Sequence, residues 1–343
     1  MSKFIQLHLL TSYPPSNLNR DDLGRPKTAT MGGTERLRVS SQSLKRHWRT
    51  SDLFQQALGE HTGIRTKKLG IELFDKLVAA DITEKQAKDW AQQIAGVFGK
   101  LKKDSVELEQ LVHVSQAERN AMNDLVDTLI NEKREPEKDE LKLLRNDEMA
   151  VDIALFGRML ASSPDYNVEA ACQVAHAISV HAVTVEDDYF TAVDDLNTAG
   201  EQGSAHIGES SFAAALYYLY VCIDKEQLVA NLNNDLALAN KAIAAFVESA
   251  VKVSPTGKQN SFASRAYASY VLAEKGNQQP RSLSVAFLKA IRSQDIATDA
   301  INALQTQRKH FDQVYGACAD DCKQINVLTG EGSFNELTAF IAD

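Results

Sequence analysis

No stretch of the 343-residue sequence approaches the roughly 20 consecutive apolar residues that a membrane-spanning helix needs. Cysteine is scarce. Its four residues, Cys172, Cys222, Cys318 and Cys322, make no disulfide framework in a chain this long. Cys318 and Cys322 have only Asp320 and Asp321 as polar neighbours and there is no second pair, so no zinc site is expected. The parts of a catalytic centre are missing too: no HxxxE-type helix, no triad order, no second acidic loop at a useful spacing. Gly257-Lys258 lacks the preceding glycine of a phosphate loop. The opening residues MSKFIQLHLLTSY carry no cleavage-site pattern and read as a first strand, which makes a cytoplasmic chain the expectation. Positive charge is not in excess either. A net charge of −9 argues against a protein that coats nucleic acid by bulk attraction and leaves room for one that holds it in a local groove.

What is present is an ordinary soluble composition, 44% hydrophobic and 24% charged, long enough for two domains or one elaborated one. Against this acidic background one basic segment stands out. From Arg20 to Arg49 there are eight Lys and Arg against three acids, Asp21, Asp22 and Glu35. RLRV at 36–39 alternates charged and apolar residues, as a half-buried strand does. Ser40 or Ser41 then caps a helix. On that helix Gln42, Lys45, Arg46 and Arg49 share one face, and Leu44 and Trp48, followed by Phe54 and Leu58, lie on the opposite one. A serine-started helix offers backbone N–H groups and a positive dipole end to a phosphate, and its basic stripe offers more. A solvated amphipathic helix is the plainer alternative.

Elsewhere the chain alternates. Residues 3–13 read as a central strand with apolar residues on both faces, and 14–35 as a long connection. Its Asp21 and Asp22 suit an Asx-type turn or, less readily, a divalent metal. Residues 66–150 read as a helical insertion, with Ser115-Gln116-Ala117-Glu118 as a capping box. VDIALFGRML at 151–160 reads as a buried strand and 168–181 as a helix, with His176 and His181 structural. Residues 184–223 read as a hairpin with a Gly/Ser/His tip, where glycine allows close backbone approach and His206 can meet a base or a phosphate. Helices are expected at Lys225–Leu232, Asp235–Val251, Ser282–Ile291, Ile296–Val314 and Phe334–Ile341, and a strand at Ser264–Leu272.

Taken in order, NLNRDD at 17–22, GG at 32–33, RVSSQSLKR at 38–46, VDIALFGRM at 151–159, AVDDL at 192–196 and EQGSAHIG at 201–208 resemble the CasC family. That family is the repeated backbone subunit of Cascade, the type I-E CRISPR surveillance complex. The resemblance runs from Met1 to about Phe212 and is weak across 60–145. It implies an α+β fold: an RRM-like (ferredoxin-like) antiparallel-sheet palm, a helical fingers insertion and a β-hairpin thumb. The corresponding division is palm at 1–60 and 151–183, fingers at 61–150, thumb at 184–223, and palm completion with C-terminal helices at 224–343. It also implies copies polymerised along one CRISPR RNA, bases presented for pairing with target DNA, contacts with other Cascade subunits, no cofactor, no membrane partner and no catalysis. Carried over by position, Arg20, Lys27, Arg38, Ser40, Gln42, Ser43, Lys45 and Arg46 match the palm contacts, and Arg49 keeps a basic group beside them. Gly203, Ser204 and His206 fall on or near the thumb. Ser162–Asp165 replaces a segment that differs in relatives. Protein contacts to phosphate and sugar carry no base information, as a guide-holding protein requires. Two further readings stand beside this one: a metal-dependent ribonuclease using Asp21 or Asp22, and a free-standing RRM-like RNA binder.

Overall fold

The structure is a computed structural model that describes residues 2–146, 148–192 and 206–342. In chain order its elements are β1 (Phe4–Ser16), β2 (Thr28–Met31), β3 (Thr34–Val39), α1 (Ser41–Arg49), α2 (Asp52–Leu58), β4 (Ile64–Thr66), α3 (Leu69–Ala79), α4 (Glu84–Gly96), β5 (Val112–Val114) and α5 (Gln116–Glu132). There follow α6 (Val151–Phe156), β6 (Cys172–Val174), β7 (Ala177–Ser179), β8 (Glu186–Ala192), β9 (His206–Asp224), α7 (Lys225–Asn231), α8 (Leu236–Lys252), α9 (Gln259–Phe262), β10 (Tyr270–Gly276), α10 (Ile296–Tyr315), β11 (Asp321–Asn326) and α11 (Phe334–Ala342). The chain divides into two compact units. One comprises Met1–Phe54, Gln173–Ile223 and Ile243–Asp343; the other comprises Gln55–Cys172 and Asp224–Ala242.

The first unit is built on a sheet of order β11-β10-β1-β9-β7-β3-β2, with β6 and β8 also paired to β9. β10 runs antiparallel to both β1 and β11, and β7 antiparallel to both β3 and β9. β1 is buried on both faces from Ile5 to Leu10, as its two-sided apolar pattern requires of a central strand. On one face Leu10, Leu216, Tyr218, Tyr270 and Leu272 pack with Phe287, Ile301 and Leu304. Elsewhere in the unit Trp48 of α1 meets Phe246 of α8 edge-on, 5.4 Å between ring centres. A polar core crosses the sheet. His8 donates from Nε2 to Glu274 and accepts at Nδ1 from the Tyr218 hydroxyl, which takes the Leu283 N–H in turn. Glu274, wholly buried, also receives Arg281 and Arg308.

The second unit is helical. α3, α4 and α5 enclose Leu73, Leu77, Trp90, Ile94, Phe98, Met122 and Leu129, and β4 pairs antiparallel with β5. The Ser115 capping box forms with both of its bonds. Its Glu118 carboxylate is buried and takes Arg158 Nη1 on both oxygens at 2.8 Å. His113 donates to Asp152 at 2.7 Å, and the other Asp152 oxygen accepts the Gly63 N–H.

Several expected elements come out differently. Residues 151–156 form α6 instead of a strand. Val151–Leu155 are buried on every side, so the run carries no period to separate a short helix from a buried strand, and Gly157 at φ +80° ends it. Residues 172–179 form β6 and β7 instead of a helix. Pairing decides this: β7 lies between β3 and β9, and the Ser179 hydroxyl takes the Leu37 N–H. The strand expected from Ser264 begins at Tyr270 and runs to Gly276, because Ala263 takes a left-handed conformation and Ser269 N–H is held by Leu10 O. Only a 3₁₀ turn at Ser284–Phe287 stands where a helix over 282–291 is expected. The N–H groups of Leu283 and Ile291 are taken by Tyr218 and Val180. The helix expected to carry Leu44, Trp48, Phe54 and Leu58 on one face is two, α1 and α2.

Candidate nucleic-acid interface

The basic segment belongs to the first unit, as the loop after β1, the β2–β3 pair and α1. Asn17 is buried at the end of β1, and its Nδ2 donates to Gly24 O and Ser211 O, which anchors the loop that follows. In that loop Asp21 accepts the N–H groups of Leu23 and Arg25, both at 2.9 Å. This is an Asx-type turn, and it engages the Asp21 carboxylate with the backbone. Lys27 N–H bonds Asn19 O, and the Asn19 side chain accepts the Ser40 N–H at 2.9 Å. One asparagine therefore fixes the loop against the start of α1. Arg38 N–H bonds Lys27 O at 2.8 Å, which sets those two basic residues side by side.

Ser40 caps α1. Its backbone is extended, its Oγ accepts the Ser43 N–H, and its side chain is buried. One N-terminal donor is thus taken by the cap itself. α1 buries Leu44 and Trp48 while Gln42 and Arg46 are exposed and Lys45 and Arg49 half-exposed, so the helix turns its basic side outward as the 3.6-residue period requires. Beside it lies an open groove of about 580 Å³ lined by Asn19, Arg20, Asp21, Asp22, Ser43, Arg46, His47 and Gly257. Gly257 is needed there: a Cβ would come within 2.3 Å of Leu18 O. His47 donates Nδ1–H to Ser43 O and accepts the Thr256 hydroxyl at 2.9 Å. Partial burial and the neighbouring Arg46 charge hold its pKa below the ordinary imidazole value, against the raising effect of the Ser43 bond.

The eight basic residues of this segment do different work. Arg36 is buried and donates to Ser179 O and Phe287 O, a structural role. Arg25 pairs with Asp187 of β8 at 3.4 Å, and Asp187 also accepts the Ser211 hydroxyl. Arg20 and Arg46 line the groove. Lys27, Arg38 and Lys45 form a second group around His176, whose Nδ1 accepts from Arg38 Nη1 at 3.2 Å. Arg49 lies one turn along α1 from Lys45 and Arg46. His181, expected to be structural, accepts the Leu216 N–H and donates to Ala182 O. His176, of which the same was expected, is exposed among cations instead. Sequence reasoning gave Asn19 and His47 no role and read His176 as structural. Asn19 stood within NLNRDD; the two histidines gave no local signal, since pairing and a distant loop bring them there.

β8 and the start of β9 form an antiparallel ladder from Glu186 opposite Phe212 to Ala192 opposite His206. Gly203 and Ser204 lie outside the described residues, and of His206 only the backbone is described. Among the described residues no group of three His, Cys, Asp or Glu could hold a metal ion, and no helix is long and apolar enough to cross a membrane.

No match was found among curated proteins. Two of the solved structures that match the chain do so over 99% of both lengths. One is a chain of a CRISPR RNA-guided surveillance complex, pre-nicking, at 28% identity and a TM-score of 0.84. The other is a chain of a CRISPR RNA-guided surveillance complex at 23% identity and a TM-score of 0.74, which speaks to the fold alone. The family model described as CT1975-like protein matches residues 5–341. A match of that extent, over a sequence whose motifs run in CasC order, makes the chain a member of the CT1975-like (CasC) family.

Proposed function

We propose that this chain is a non-catalytic backbone subunit of a type I-E Cascade complex. Several copies polymerise along one CRISPR RNA, grip its ribose-phosphate chain without regard to base, and present it for pairing with target DNA in antiviral defence. The observation that carries this is the end-to-end likeness to a chain of an RNA-guided surveillance complex at 28% identity. The basic surface supports it. A loop and a capped helix bring Arg20 and Arg46 to one groove, and a loop, a strand and the same helix bring Lys27, Arg38 and Lys45 to His176, in a protein whose net charge is −9. Contacts of that kind fix position and carry no sequence information. The sheet unit corresponds in this reading to an RRM-like palm, the helical unit to fingers, and β8 with the first part of β9 to a thumb hairpin. Its partners are CRISPR RNA, further copies of itself and other Cascade subunits, in the cytoplasm.

The ribonuclease reading is less favoured because the Asp21 carboxylate already accepts two backbone N–H groups. Co-expression with a CRISPR array tests both. The expected product is a large particle that elutes with a nucleic-acid absorbance peak and leaves matched RNA intact in Mg²⁺. A lone monomer free of RNA overturns the assembly reading. Regularly spaced cuts in matched RNA, lost in Asp21→Ala or Asp22→Ala, overturn the non-catalytic one.

A further inference from the structure

His176 has no part in any fold-holding network described above, yet it sits among Arg38, Lys27 and Lys45. It directly precedes β7, whose pairing with β3 sets Arg38 opposite Ile178. That register brings Arg38 Nη1 to His176 Nδ1 at 3.2 Å. An arginine is always charged and can only donate, so Nδ1 is the acceptor and the ring is neutral, with its proton on Nε2. Three charged groups act on the ring from three elements: Arg38 on β3, Lys27 on the loop before β2, and Lys45 on α1. Partial burial first, then those three charges, keep the imidazole below its ordinary pKa.

We infer that His176 is a proton-taking member of the RNA grip: an arriving phosphate draws the Arg38 guanidinium away from the imidazole, and the freed Nδ1 binds a proton from solvent, so that His176 meets the phosphodiester as a cation. The inference rests on the RNA-binding reading. The phosphate supplies the negative charge that the cluster lacks, which removes the repulsion from Lys27, Arg38 and Lys45 and replaces it with attraction. Because the RNA-bound state holds one more proton than the free state, affinity rises as pH falls through the imidazole range. Binding and protonation are reciprocal, so the RNA also makes the histidine more basic.

The test measures affinity for oligouridine, whose base does not titrate in this range, at about pH 6 and about pH 8 and fixed salt. The lower value stays above the isoelectric point near 5.5. The wild-type protein should bind about three- to tenfold more tightly at the lower pH. His176→Asn retains an acceptor for Arg38 and cannot be protonated. It should match wild type at about pH 8 and be flatter than wild type by that same factor. Calorimetry in two buffers of different ionisation enthalpy should show proton uptake on binding in the wild type and its reduction in the variant. A wild-type profile without pH dependence overturns the inference, as does an equal dependence in His176→Asn. Failure of the wild-type protein to bind oligouridine at either pH is a separate outcome that overturns the RNA-binding reading itself.

Discussion

Replacing Lys27, Arg38 and Lys45 together by alanine removes one of the two cationic groups and leaves the groove pair, Arg20 and Arg46, in place. Each protein cation that neutralises a phosphate of single-stranded RNA releases counterion and contributes about 0.7 to the slope of log affinity against log salt. Three lost contacts lower that slope by about 2. Between about 50 and about 200 mM salt, a fourfold change, the affinity gap between wild type and variant should therefore narrow about twentyfold. Fluorescence anisotropy with labelled oligouridine, oligoadenine and a mixed sequence measures it. The gap at any one salt concentration should be the same for all three RNAs, because the contacts are to the backbone. A control separates local from global charge. Changing Lys85, Lys103 and Lys138, exposed cations of the helical unit, to alanine alters net charge equally and should leave the slope alone. The reasoning is refuted by an unchanged slope in the first variant, or by a loss that depends on base identity.

Three more outcomes follow from the contacts described. Ser40→Ala should cost about 1 kcal/mol by uncapping α1, and Ser40→Asn, which keeps a capping oxygen, should lose less; urea unfolding of the two variants measures the difference. Glu118→Ala strands the buried Arg158 charge and opens the capping box, at about 3–5 kcal/mol. The two tryptophans, Trp48 and Trp90, fall one in each unit, so Trp90 fluorescence in a Trp48→Phe background reports this transition in the helical unit. Glu274 is the third case: burial works against its charge, but hydrogen bonds from His8 and Arg281 hold its carboxyl far below the ordinary glutamate value. A depressed carboxylate stabilises above the unfolded pKa of about 4.3 and loses that stabilisation as pH falls towards the folded value. Glu274→Gln should thus be less stable near neutrality, and its deficit should shrink below about pH 4, followed through Trp48 in a Trp90→Phe background.

How much of this was legible in the sequence depended on whether the deciding forces were local. α1 was legible because a capping serine and a 3.6-residue period act within a few residues, and the structure keeps both. The Ser115 capping box was legible for the same reason. β1 showed itself as central because its two buried faces both had to be apolar. By contrast β7 exists through its neighbours: VAHAISV carries enough 3.6-spaced apolar residues to suggest a helix, and only β3 and β9, far away in sequence, make it a strand. β11, DCKQIN, is a polar edge strand held by β10, and no hydrophobic period announces it.

The same division runs through the basic surface. Counting charge from Arg20 to Arg49 finds the region but treats its eight cations alike. The fold separates them: Arg36 is spent on the carbonyls of Ser179 and Phe287, and Arg25 on Asp187. All three of these partners come from beyond residue 178, so no window around the motif could have sorted the two arginines. His176 also arrives from far along the chain and changes the chemistry of the site, because an imidazole beside Arg38 can alter its charge near neutral pH, which arginine and lysine do not. A cluster made only of arginine and lysine would grip a phosphate with a strength set by salt. With an imidazole kept below its ordinary pKa by partial burial and by those same cations, the grip also counts protons, and the sequence motif alone contains no hint of that second variable.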